Sequence, residues 1–159
     1  MELGVIWQFG RTRVTRRIIG WSLSAEMTQD LVISALKRVI NKGLVKAGAI
    51  IHSDRGSQYA SNGFRQLLRI NCFRQSMSGK GNCYDNAQAE SFFSRFKTEL
   101  IEGGAFEDIE QARLEIFSYI EGYYNRVRLH SSLGYKSPME FEAELKIKNG
   151  GKIESFLSI

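Results

Sequence analysis

The chain has 159 residues, 43% hydrophobic and 11% aromatic, which is enough for one domain with a real core and excludes a disordered polymer. A net charge of +5 favours polyanionic partners. No run approaches the roughly 20 apolar residues of a membrane span, the N-terminus lacks a signal-peptide pattern, and two cysteines without CxxC spacing provide neither a disulfide framework nor a zinc site; the expectation is a soluble, cytoplasmic protein without membrane partners.

LGVIW (residues 3 to 7) and VTRRIIGW (14 to 21) are β-branched and aromatic runs divided by a Gly/Arg segment, and they read as a strand pair. Arg11, Arg13, Arg16 and Arg17 cluster there, equally suited to a solvated face and to a polyanion contact. From Thr28, Leu31, Val32, Ala35, Leu36, Val39 and Ile40 recur at helical spacing, with Gly43 just past the end. AGAIIHS (47 to 53) reads as a strand, NGFRQLL (62 to 68) as a helix and NCFRQSM (71 to 77) as another strand. The glycine-rich SGKGN (78 to 82) lacks the GxxxxGK[ST] spacing of a nucleotide loop, which argues against ATP binding, and leads into a helix over about Asp85 to Leu100. A further helix spans about Glu107 to Tyr124, and Ser137-Pro138-Met139-Glu140 opens the last one with a capping box. This alternation predicts an α/β layered domain over residues 1 to 146, followed by a loosely ordered tail over 147 to 159.

Two carboxylates stand out. Asp54 follows AGAIIHS at the carboxyl end of its strand, the edge where open α/β sheets place functional groups, although a capping aspartate explains it equally well in isolation. Glu90 borders the apolar face formed by Ala89, Phe92, Phe93, Phe96 and Leu100, with small residues and a glycine-rich loop nearby that allow close approach of a phosphate and a metal. Thirty-five residues intervene (positions 55 to 89), the interval that marks the catalytic carboxylates of DDE transposases and retroviral integrases. HSDRGSQY, NCYDNAQAESFFSRFKTEL and YYNRVRLHSSLGYKSPMEFE occur in the order of the motifs of insertion sequence 3 transposases. From about Val14 to Glu142 the chain resembles the integrase catalytic core of that family.

The resemblance implies a ribonuclease-H-like fold, a mixed sheet flanked by helices, in which three carboxylates hold two Mg²⁺ (or Mn²⁺) ions about 4 Å apart for in-line phosphoryl transfer. It implies DNA transposition: water frees a 3′-hydroxyl at an element end, and that hydroxyl attacks another phosphodiester. Asp54 and Glu90 would be catalytic metal ligands. Lys97, two helical turns beyond Glu90, would contact the DNA end, or is an ordinary exposed lysine. Arg55, with His52 and Gln58, would touch phosphate or shape the site, and His52 equally fits a satisfied core residue. Asn125, Arg126, Arg128 and His130, in NRVRLHSSLGY, would form a DNA-facing or packing element, whose two arginines could stack or pair with phosphates. The implied partners are transposon ends, target DNA and a second copy or a full-length transposase, which makes the protein nucleoid-associated by function.

One departure bears on chemistry. The family's first aspartate lies on a central strand upstream of LGVIW, beside the strand that carries the second, and this chain has no acidic residue between Glu2 and Glu26. The expectation is a sheet lacking its first strand and a chain inactive alone. The alternatives are a non-catalytic DNA-binding or dimerising remnant and a ribonuclease-H-like nuclease.

Overall fold

The computed structural model describes residues 6–79, 87–101, 106–150 and 156–159, apart from the side chains of 6–9, 87–90, 93 and 101. The strands are β1 (Ile6–Thr12), β2 (Ile18–Ser24), β3 (Ile50–Ser53), β4 (Arg74–Met77) and β5 (Phe156–Ser158). The α-helices are α1 (Gln29–Asn41), α2 (Asn62–Ile70), α3 (Ala87–Ile101), α4 (Ile109–Phe117) and α5 (Pro138–Lys148). The five strands form one mixed sheet in the order β2-β1-β5-β3-β4. β1 pairs antiparallel with β2 and β5, whereas β3 pairs parallel with β4 and β5.

The first hairpin is displaced from its expected position. Gly10, Arg11 and Thr12, read as part of a separator, lie inside β1, and the turn falls at Arg13 to Arg16, where Arg16 adopts φ 59°. Gly10, read as part of the break, and Gly20, read within the second strand, are both close-approach glycines. A Cβ on Gly20 would sit 2.5 Å from Val39 Cγ2 and 2.7 Å from the Ala35 carbonyl, and one on Gly10 would sit 2.7 Å from the same Val39 methyl. Helix α1 therefore rests directly on the β1–β2 backbone, which only a missing side chain permits.

The place beside β3, where the resemblance expects the family's first strand, is taken by the end of the chain. Ile50, Ile51 and His52 of β3 pair with Phe156, Leu157 and Ser158, and on its other edge β5 meets Arg11 and Thr12. Part of the tail expected to be loose is thus the central strand of the sheet, and Leu157 is 1% exposed. Hydrophobic alternation could not reveal it, because a three-residue strand is too short to show a period.

Ile18 and Ile19 are neighbours on β2 and join opposite layers. Ile19 packs with Val32, Leu36, Val39, Phe64, Ile51 and Leu157 under α1 and α2. Ile18 packs with Trp21, Leu23, Phe92, Phe96, Ile116 and Tyr124 under α3 and α4. The helix expected over Glu107 to Tyr124 starts at the Asp108 cap, whose side chain accepts from the Gln111 amide, and changes after Phe117 into a π-helix, Ser118–Tyr124. The wider turn sends Tyr119, Ile120 and Tyr124 into the core. At α5 the capping box is present as read: Ser137 accepts from the Glu140 amide while the Glu140 carboxylate accepts from the Ser137 amide.

Candidate functional site

Asp54 emerges immediately after β3, exposed, at the carboxyl end of the sheet's parallel part. Its Oδ1 accepts a 2.7 Å hydrogen bond from the Gly56 amide, a local turn that fixes the carboxylate without burying it. Arg55 Nε donates 2.7 Å to the Ser78 carbonyl and so ties this turn to the end of β4. His52 behaves as a satisfied structural residue: its ring lies within hydrogen-bond distance of the Ser76 and Ser78 hydroxyls and 5.8 Å from Phe156. Glu90 lies on α3, with its side chain outside the described residues. Lys97, on the same helix, is exposed.

The NRVRLHSSLGY segment divides into structural and open residues. Asn125 is 1% exposed and mimics a peptide: its Oδ1 accepts from the Ile18 amide and its Nδ2 donates to the Ile18 carbonyl, both at 2.9 Å. Arg126 is exposed. Arg128 grips Glu99 with Nε at 3.0 and 2.9 Å from the two carboxylate oxygens and Nη2 at 2.6 Å from Oε1, and Tyr119 donates its hydroxyl proton to the other side of Glu99. The Arg128 bond holds the Glu99 carboxyl below its ordinary range against the opposing effect of burial.

Arg128 and Tyr119 belong to the wall of a cavity of about 200 Å³ between α3, the π-helix and the β1–β2 hairpin, lined also by Arg11, Arg16, Arg95, Tyr124 and His130. Arg11 is 8% exposed, its guanidinium 5.6 Å from the Phe92 ring centre. Sequence reasoning read Arg128 and His130 as DNA-facing but had no signal for Glu99, Tyr119 or Arg95 as their company, because those contacts close over 20 to 30 residues of chain.

His130 yields a pH prediction. Burial, then Arg128, Arg16 and Arg11, push its pKa down from 6.5 to about 4. The folded protein keeps the ring neutral while the unfolded chain binds a proton near 6.5, so the stability from this group is lost as pH falls from about 6.5 to 4. Allowing for residual screening, the loss is about 2 kcal/mol. His130→Gln should flatten the denaturant midpoint against pH across that window; an unchanged slope would rule this origin out.

Two integrase core domain models match the chain, over residues 12–83 and 71–138. The transposase of insertion sequence element IS904 of Lactococcus lactis is 47% identical over 128 residues, covering 80% of this chain and 51% of that protein. The transposase InsF of insertion sequence IS3A of Escherichia coli is 44% identical over 128 residues, covering 80% and 44%. The chain thus spans about half the length of the curated relatives it matches. Among solved structures, the catalytic core domain of bovine immunodeficiency virus (BIV) integrase aligns with TM-score 0.55 at 17% identity, over 91% of this chain and 97% of that one. The HTLV-2 integrase catalytic core in complex with magnesium aligns with TM-score 0.53 at 13% identity, over 80% and 77%. These two likenesses bear on the fold, and they agree with a ribonuclease-H-like arrangement of mixed sheet and flanking helices.

Proposed function

Because the chain belongs to the integrase core family, among transposases of the insertion sequence 3 type, we propose that it is part of a core for DNA transposition by metal-dependent phosphoryl transfer. The observation that carries this reading is Asp54, an exposed carboxylate fixed at the carboxyl end of β3 and spaced from Glu90 on α3 as the family motif requires. Its oxygens suit a hard cation such as Mg²⁺ or Mn²⁺. Asp54 and Glu90 are proposed to hold the ion together with water or DNA phosphate oxygens. A divalent ion there would supply Lewis acidity and charge neutralisation at a phosphodiester.

The remaining roles fall to this chain's own groups. Exposed Lys97 and Arg126 approach the DNA backbone as point and fork charges. Arg55 spends Nε on Ser78 and keeps its other donors for phosphate. The partners proposed are element ends, target DNA and further copies of a transposase.

By themselves these 159 residues are expected to be inactive in strand transfer, because neither β5, beside β3, nor β1 beyond it carries an acidic residue. A cleavage and joining assay on a labelled element end with Mg²⁺ or Mn²⁺ tests this. No product is expected, and turnover that Asp54→Asn abolishes would overturn the inactivity. A second reading, a non-catalytic DNA-binding or dimerising module, is favoured by the arginine-lined cavity; salt-dependent DNA binding unaffected by Asp54→Asn and Glu90→Gln would support it.

A further inference from the structure

We propose that the arginine-lined cavity is a binding site for one phosphate group of a DNA backbone. This deepens the reading of the chain as a DNA-transposition core and rests on it. Four guanidiniums, of Arg11, Arg16, Arg95 and Arg128, converge on the cavity. Among the described residues the carboxylate that reaches them is Glu99, and it is spent on Arg128; Arg16 and Arg95 form no ion pair there. Among the described residues the wall therefore carries a net positive charge, and two of its four guanidiniums have no carboxylate partner.

The wall has a second property: it is rich in donors, which Ser91 and the neutral His130 ring offset only in part. Arginine has five donors and no acceptor. Tyr124 is 2% exposed, and among the described residues its hydroxyl has no acceptor for its proton; the adjacent Arg11 can only donate to it. The Tyr119 proton already goes to Glu99. What the cavity lacks is an oxyanion with several lone pairs. At about 200 Å³ it suits a single tetrahedral group better than a nucleoside, since pockets for larger organic ligands run to roughly 300 to 1,000 Å³. Burial and the neighbouring Arg11, Arg95 and Arg128 lower the Arg16 pKa, a mutual repulsion that a bound anion would relieve. Arg95 lies five residues past Glu90 on α3, about 7.5 Å of axial rise, so a phosphate held here sits on the helix that carries the proposed metal ligand.

Fluorescence anisotropy of a labelled DNA duplex with the full 159-residue chain, in EDTA over a range of salt, reads this site without any catalytic step, so failure of the catalytic proposal leaves it interpretable. Arg95→Ala, on an exposed helix position, and Arg16→Asn, which tolerates the φ of 59°, should each weaken binding about threefold to tenfold and lower the log–log salt slope by about one. Tyr124→Phe keeps the ring packing and should weaken binding while unfolding no earlier than the parent, since it removes a buried unsatisfied hydroxyl. Inorganic phosphate should compete with DNA in the parent and lose that effect in Arg95→Ala. Parent-like affinity and salt slope in all three variants would overturn the proposal, as would phosphate that fills the cavity without displacing DNA.

Discussion

Deleting Phe156 to Ile159 should abolish cooperative folding of the domain. Leu157 is buried to 1% within the layer of α1 and α2, and leaving a leucine without its site costs about 1.5 to 3 kcal/mol in transfer alone. The backbone term is larger. β5 pairs with β3 at Ile50, Ile51 and His52 and with β1 at Arg11 and Thr12, while the Ile159 amide donates 2.8 Å to the His52 carbonyl and the Arg13 amide donates 3.4 Å to Phe156. Each buried backbone group left without a partner costs about 1 to 3 kcal/mol. Several of these exceed or match the 5 to 15 kcal/mol of a typical domain. Circular dichroism under guanidinium should show a sharp transition for the full chain and a broad, early one for the truncated chain. Leu157→Ala, which keeps the ladder and loses only the side chain, should retain cooperativity and cost about 2 to 5 kcal/mol. A truncated chain that unfolds at the parent midpoint with the parent slope would show that β5 is not structural.

The same strand shows where reading the sequence stops working. α1 was legible because Leu31, Val32, Ala35, Leu36 and Val39 repeat at helical spacing over 13 residues, and all five are buried. α5 was legible from its capping box and Pro138. β5 offers only Phe156, Leu157 and Ser158 after a glycine-bearing stretch, and its role comes from two partners that lie more than 100 and 140 residues earlier in the chain. No local pattern encodes that. The hairpin error has a related cause: Gly10 looks like a turn signal until Val39 of α1 is set against it.

For the site, the motif around Asp54 was legible, and its exposed position at the end of β3 follows from strand length and parallel pairing. The signature NRVRLHSSLGY was visible as a unit but not its division of labour. Asn125 serves as a backbone surrogate for Ile18, a contact across 107 residues. Arg128, read as part of a DNA-facing or packing element, has a side chain 13% exposed and is held by Glu99. The basic segment from Arg11 to Arg17 likewise looked uniform; Arg17 pairs with Glu142 at 2.9 and 3.0 Å, Arg13 lies over Phe156, and only Arg11 and Arg16 turn into the cavity. Charge count finds such a cluster, but tertiary pairing decides which members keep charge to offer a ligand.

Glu99→Ala should separate stability from anion binding. Removing one partner of a pair costs about 3 to 5 kcal/mol when it is buried and about 1 kcal/mol or less when it is exposed; with side chains 13% and 30% exposed, this pair lies between, and the expected loss is about 2 kcal/mol. It also leaves the Tyr119 hydroxyl without its acceptor. The loss has a pH signature. Because Arg128 depresses the folded pKa of Glu99 below 4.5, its contribution is complete above that value and fades as pH falls through the lower folded pKa, so parent and variant should converge in strong acid. Binding moves the other way. With Glu99 gone, four guanidiniums face the cavity without any carboxylate among the described residues, so phosphate and DNA should bind more tightly, and added phosphate should restore part of the lost stability by mass action. A double-mutant cycle with Arg128→Met should recover most of the folding loss, since both partners are then absent, but not the gain in binding. If Glu99→Ala lost stability without any gain in phosphate affinity, Glu99 would be a structural brace alone and the cavity's charge would play no part in ligand binding.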